Sequence, residues 1–439
     1  MGSGHNKKNE TKYHELEGYV IAIDLGSTEF RGIVGKKVGN GKIELIAKDS
    51  VAGQGINKGC IQNVEDVKYG ISRLCKMLEN RLNTKLNEGK APQDRISTEV
   101  RRVYISLNGA SIDTSNNSAS RKMGGNTITR ELVEEFDNEN RRYPIGNDNE
   151  LLDIIPQECI IDDEDRPFDQ MLGTRCESVT AKYKLVHGKK SLRQNLEDVL
   201  GELNLKLAGY VLSTIAEGNV MLTDEEKELG CVLVNYGHTS TGVSVYYKKL
   251  LKFTFVMPLG SKMIAKDLTT LKLTENQAKE IKECCACVVD PKRGEYTITM
   301  NEREINSSTI NEIIARRIQQ MLGYVNACID QSGLKIGSQL EKLILTGGGS
   351  KQKGLKTMAM EEIGLEVGRG QLHNNKLVSA DKFFDDKNEE QRFSQSLGTI
   401  VTATEDCFEY KLEMEPTKKT LFQTFKEMAL GTFTEELKE

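Results

Sequence analysis

Tyr19-Val20-Ile21-Ala22-Ile23-Asp24-Leu25-Gly26-Ser27-Thr28-Glu29-Phe30-Arg31-Gly32-Ile33-Val34 reads as two buried strands joined by a tight turn. YVIAI is an unbroken apolar run, FRGIV begins another, and the joint is Asp24 to Thr28. Gly26 lets the backbone adopt positive φ and approach a ligand closely, while successive N–H groups and the Ser27 and Thr28 hydroxyls supply donors for an anion. Asp24 ends the first strand, where its carboxylate is placed to hold a divalent cation through water. An ordinary Asp-Gly hairpin has the same letters, so this stretch alone leaves phosphate binding open.

The grammar recurs at Leu229-Gly230-Cys231-Val232-Leu233-Val234-Asn235-Tyr236-Gly237-His238-Thr239-Ser240-Thr241-Gly242-Val243-Ser244-Val245: apolar strand, polar residue, glycine, hydroxyls, second strand. Two such hairpins can grip a polyphosphate from both sides. A third glycine site, Lys342-Leu343-Ile344-Leu345-Thr346-Gly347-Gly348-Gly349-Ser350, follows an apolar strand and precedes a helix expected at 353–362. Three adjacent glycines leave a side-chain-free surface suited to a nucleoside.

These three stretches resemble the two phosphate loops and the adenosine loop of the actin, sugar kinase and heat-shock chaperone ATPase superfamily. Leu151-Leu152-Asp153-Ile154-Ile155-Pro156-Gln157-Glu158, Leu222-Thr223-Asp224-Glu225-Glu226-Lys227-Glu228-Leu229-Gly230 and the apolar tail at 421–433 are similar to the FtsA family of bacterial cell-division actin homologues. The resemblance implies an α/β fold of duplicated, ribonuclease-H-like domains around a nucleotide cleft, with an inserted small α+β subdomain and a C-terminal amphipathic helix. The expected order is a flexible lead at 1–18, a first actin-like domain at 19–107 and 183–230, the insertion at 108–182, a second domain at 231–403, a linker at 404–417 and the tail at 418–439. It further implies ATP with Mg²⁺ in the cleft, held by Gly26, Ser27, Thr28, Asn235, Gly237, His238, Thr239, Gly260, Ser261, Lys282, Gly347, Gly348, Gly349 and Ser350, with Asp24 holding the metal through water. Implied partners are the tubulin-like ring protein FtsZ, further copies of the chain in a filament, other division proteins on the insertion, and lipid at the cytoplasmic face of the membrane at the septum.

Composition sets the bounds. A length of 439 residues favours two domains, and 38% hydrophobic residues can fill their cores. A net charge of −5, spread without blocks, gives no sign of a nucleic-acid surface. The 10 cysteines are scattered, no secretory signal precedes them, and reduced cytosolic thiols are expected. Cys284, Cys285 and Cys287 lack the nearby histidine or second cysteine pair that a zinc site needs, and read as packing thiols. No run of 18 apolar residues provides a membrane span.

Along the chain, Val67, Ile71, Leu74, Cys75, Leu78 and Leu82 mark one face of a helix at 63–86. Residues 111–127 are rich in Ser, Asn and Gly. Glu217 falls on a helix at 215–222 and reads as solvated or structural rather than catalytic. Beyond the acidic linker, Leu421, Phe422, Phe425, Met428, Ala429 and Phe433 recur at helical spacing, with Leu430 beside them and Lys418, Lys419 and Lys426 as polar neighbours. A terminal helix with that face suits a lipid surface, the alternative being docking on its own globule or another protomer.

Two departures from the family pattern bear on chemistry. Asn235 stands where the second hairpin commonly has Asp, and Glu29 follows the first loop where Lys is frequent. Binding with slow or absent turnover is therefore expected. A small-molecule kinase of the same fold would need a carboxylate base in the cleft, a chaperone ATPase a substrate domain after residue 403, and a pilus-type actin homologue would leave the amphipathic tail unexplained.

Overall fold

The computed structural model describes residues 16–285, 296–300, 303–373, 375–380 and 383–410. The expected strands at both hairpins form: β1 (Tyr19–Leu25) pairs antiparallel with β2 (Glu29–Lys37), which pairs antiparallel with β3 (Ile43–Ala52). The helix α1 (Val64–Leu86) follows, started by Asn63, whose side chain accepts from the Asp66 N–H, and it buries every one of the six face residues named above. The strands β4 (Arg102–Leu107) and β5 (Lys206–Leu212) then add in parallel on the other side of β1, so the sheet runs β5-β4-β1-β2-β3, with Leu377–Val378 extending β3.

The second half repeats this. The strands β6 (Cys231–Tyr236), β7 (Thr241–Tyr247) and β8 (Leu250–Met257) pair antiparallel, and β9 (Lys342–Thr346) and β10 (Glu366–Arg369) add in parallel, giving β8-β7-β6-β9-β10. The order and sense of both sheets are the same, which is why each begins with an apolar strand ending in a polar residue and glycine. Each sheet has its own core, around Ile21, Ile23, Ile71 and Leu74 in the first and Val232, Val234, Ile314 and Ile318 in the second. Burying side chains of this size contributes roughly 1.5–3 kcal/mol apiece.

Two helices join the halves. The helix α2 (Ser213–Met221) leads out of β5, and α3 (Ser394–Ile400) returns to the first half. They cross so closely that a Cβ on Gly398 would lie 1.7 Å from the Ala216 carbonyl oxygen. Only glycine permits that backbone contact.

Between β4 and β5 lies a separate four-stranded antiparallel sheet, ordered Glu164–Pro167, Asn149–Ile161, Arg175–Lys189, Asp113–Thr127. The helix Arg130–Arg141 seats Phe136 on it, beside Tyr183, whose hydroxyl donates to Asp137 at 2.9 Å. The polar stretch 111–127 supplies a strand of 15 residues, because exposed positions alternate with sheltered ones along much of it and its backbone pairs with Arg175–Lys189 on either side of one bulge. The acidic segment after Leu222 is likewise a short helix, Asp224–Leu229, closed by a capping box between Thr223 and Glu226.

The expected ends of the globule shift at both termini. Within the lead, Leu16 is buried and the Gly18 N–H donates to Asp406. Residues 404–410 are not a linker: Phe408–Tyr410 pairs with Thr98–Val100, Cys407 donates to the Tyr19 carbonyl, and Cys407 and Phe408 enter the first core. The acidic side chains that suggested a solvated spacer face Lys37, Arg101 and Arg102. The amphipathic helix expected at 418–439, with Leu421, Phe422, Phe425, Met428, Leu430 and Phe433, lies outside the described residues, as does Cys287. Among the described residues no helix is long and apolar enough to cross a membrane.

Candidate functional site

A cavity of about 450 Å³ opens between the halves, and the turns after β1, β6 and β9 all face it. Asp24, Gly26, Ser27, Thr28, Asn235, Gly237, His238, Thr239, Ser261, Lys282, Gly347, Gly348 and Gly349 line it, so three stretches far apart in sequence converge. The two hairpins are built alike. A Cβ on Gly26 would sit 2.7 Å from the Glu29 carbonyl oxygen, and one on Gly237 would sit 2.7 Å from that of Ser240. Neither glycine has positive φ, contrary to the expectation for Gly26; the close return of the chain three residues later is what excludes a side chain. Gly347 does have positive φ, +79°, and a Cβ there would meet the Asn235 Oδ1 at 2.5 Å. Gly348 faces open space, and Gly349 packs on Tyr236.

Gly260 and Ser350 brace this surface from behind. Gly260 stacks against the His238 carbonyl, and the N–H groups of Ser261 and Lys262 donate to the carbonyls of Gly237 and His238. The Ser261 N–H at that helix start is therefore spent on holding the second hairpin. The Ser350 hydroxyl donates to the Gly347 carbonyl at 2.7 Å and fixes the glycine turn. Lys282 lies in a π-helical turn (Ile281–Cys285), where a widened backbone turns its ammonium onto the Ser261 hydroxyl at 3.3 Å. Thr239 accepts from the Lys58 N–H at 2.9 Å, a direct bond from the first half to the second hairpin.

Charge in the cavity is lopsided. Arg31, Lys279, Lys282, Lys351 and Arg392 line it against Asp24 and Glu283, within a chain whose net charge is negative. Burial and then Lys282, Lys262 and Lys279 push the His238 imidazole down to about 4, so it is neutral at physiological pH. Arg31, Lys279, Lys351 and Arg392 were not singled out from sequence; the one available signal was Arg31 standing two residues after Glu29 on a strand, hence on the same face.

Both family departures find partners. Glu29 is held by Arg31 at 2.8 Å, by the Ser50 hydroxyl at 2.7 Å and by Arg392, and these outweigh its burial to keep the carboxyl below its usual range. It does not itself line the cavity. Asn235 donates to Glu217 at 2.5 Å, and Glu217 also accepts from the Ser394 hydroxyl at 2.9 Å. Glu217 is wholly buried, not solvated, and burial pushes its carboxyl upward.

The magnesium expected through Asp24 meets a poor donor set. The Asp24 carboxylate is ion-paired with Arg31 at 3.1 Å, and burial pushes it up to about 6 despite that partner. The second hairpin offers a neutral amide in Asn235, whose nitrogen is committed to Glu217. Among the described residues no three His, Cys, Asp or Glu side chains gather as a metal site. The residues present do not fit a divalent cation held by the protein.

A sequence model of the cell division protein FtsA matches residues 232–398, and one of the SHS2 domain inserted in FtsA matches residues 109–186. The chain belongs to the FtsA family. The cell division protein FtsA of Porphyromonas gingivalis is 28% identical over 402 residues, which are 88% of this chain and 79% of that protein. The FtsA of Neisseria meningitidis is 23% identical over 401 residues, 89% of this chain and 91% of that protein. Among solved structures, a PilM-PilN type IV pilus biogenesis complex aligns with a TM-score of 0.59 at 14% identity, over 87% of this chain and 98% of the other. That likeness shows an actin-like fold, and the sheet between β4 and β5 is the SHS2 insertion of FtsA.

Proposed function

We propose that this cell-division protein binds ATP between its halves, assembles with copies of itself, and tethers the FtsZ ring to the cytoplasmic face of the membrane at the septum. The observation that carries the nucleotide reading is the convergence of two hairpins of one construction and a bare glycine turn on a cavity with five basic and two acidic side chains. In this reading the amides and hydroxyls of residues 26–28 and 238–239 hold phosphate oxygens, the Gly237 N–H being bonded to the Ser240 carbonyl, and Gly347 to Gly349 accept the nucleoside face. ATP would supply the charge and bulk that draw the halves together.

Turnover is slow or absent in this reading. A hydrolase needs a group that orients water at the phosphate. Glu217 lies near the hairpins, but its oxygens already accept from Asn235 and Ser394 inside the protein.

The membrane and FtsZ parts rest on family membership and on the apolar face of the tail sequence. A single interfacial helix binds reversibly, and filament formation multiplies its hold. The second actin-like domain is proposed for FtsZ and the insertion for other division proteins. Calorimetry with ATP in magnesium buffer tests the cleft; no heat and no saturation would refute it. Deleting residues 418–439 should abolish co-sedimentation with anionic liposomes and leave ATP binding intact, and retained sedimentation would refute the tether.

A further inference from the structure

Each of the two hairpins has one position where a carboxylate would face a bound phosphate, and neither is available to a metal. Asp24 is already neutralised by a guanidinium, and Asn235 carries no charge. Arg31, by contrast, lines the cavity directly beside the first hairpin. Its Nη1 reaches Asp24 at 3.1 Å and its Nε reaches Glu29 at 2.8 Å. Glu29 also holds Arg392, a second cavity-lining guanidinium from the helix Lys387–Arg392, so one carboxylate aims two cations at the same space. The Arg31 carbonyl accepts from the Ser396 hydroxyl at 3.2 Å, which fixes the strand carrying it.

We propose that Arg31 is the cation that meets the polyphosphate of the nucleotide, in the place a divalent metal would take, and that the cleft therefore binds its nucleotide without magnesium. This rests on the nucleotide reading above. A planar guanidinium is permanently charged, presents several N–H donors and matches phosphate oxygens two at a time. Magnesium in nucleotide sites is usually held by one or two carboxylates together with the phosphates. Here Arg31 occupies the one cavity carboxylate that stands at the first hairpin. Glu29, unfavourable beside a triphosphate in isolation, becomes the anchor that orients Arg31.

The test is calorimetry of the full chain with ATP at fixed ionic strength, once with excess EDTA and once with excess magnesium chloride. The wild type should change its Kd by less than about tenfold between the two, within 1.4 kcal/mol. Arg31→Ala should weaken ATP binding more than about tenfold in EDTA, and magnesium should recover part of that loss because Asp24 is released. Arg31→Lys, which keeps the charge, should lie between them, and thermal melts of all three report folding. Wild-type binding that falls more than about tenfold in EDTA overturns the proposal, as does an Arg31→Ala variant that melts like wild type and binds equally well in EDTA. No heat from the wild type in either buffer refutes the nucleotide reading itself, and the role of Arg31 with it.

Discussion

The side-chain amide of Asn235 donates to the Oε2 of Glu217 at 2.5 Å, linking the second hairpin to the helix that leaves the first sheet. With Ser394 donating to the other carboxylate oxygen, this bond ties β6, α2 and α3 at one buried point. It also gives a physical reason for an amide at position 235, since an aspartate there would face a desolvated carboxylate.

Asn235→Asp should therefore destabilise the protein by about 3 kcal/mol, the scale seen when a buried charge loses its partner. Adding Glu217→Gln returns a donor opposite the new carboxylate and should recover more than half of that loss. Urea denaturation of the two single variants and the double variant measures the coupling. Simple addition of the two losses would refute the pairing.

The three glycines of the third turn should respond unequally. Gly348→Ala meets nothing and should leave the melting temperature within a few degrees of wild type. Gly347→Ala combines positive φ with contact on Asn235, and Gly349→Ala collides with Tyr236; each should cost about 2 kcal/mol or more. Equal melting of all three variants would contradict the described turn.

Asp24 makes stability depend on pH in a stated direction. Burial raises its folded value from 3.8 to about 6, so the folded chain binds this proton more readily than the unfolded one. The contribution is favourable below about 4 and is lost as pH rises to about 6, amounting to about 3 kcal/mol at most. Asp24→Asn, which mimics the protonated side chain, should thus gain stability over wild type at pH 7.5 and much less at pH 4.5. Denaturant titrations at the two pH values decide it, and a gap that widens on acidification would reverse the assigned sign.

Gly398→Ala should be severe. The nearest atom to the added methyl is a backbone oxygen of Ala216, which cannot rotate aside, so the two joining helices must separate. A loss above about 3 kcal/mol is expected, at the upper end for overpacking. Wild-type melting would show that α2 and α3 do not cross as described.

Much of this was legible in the chain. Apolar runs ending in a polar residue and glycine announced β1, β6 and β9, and the 3.6-residue spacing of Val67 to Leu82 announced α1 and its buried face apart from Gly70. The strand Asp113–Thr127 was hidden because its stability comes from pairing with Arg175–Lys189, while its own letters are polar. The surroundings of Glu217 and the cluster of Arg31, Glu29 and Arg392 were hidden for a related reason. Their partners lie up to 363 residues away, and periodicity carries no information at that range. Acidic residues at 405–409 suggested a spacer because their basic counterparts are distant in sequence.

The SHS2 insertion is fastened to both halves. Toward the first, Tyr210 donates to the Leu152 carbonyl at 3.0 Å and Arg193 pairs with Glu150 at 2.8 Å. Toward the second, the Gln157 side chain donates to the Leu251 carbonyl at 3.1 Å and Lys252 faces Glu158 at 3.5 Å. A body moored on two banks feels any change in the width between them. Rotation of one half against the other would shear the Gln157 mooring or drag the insertion along, so the tilt of that sheet would follow the state of the gap.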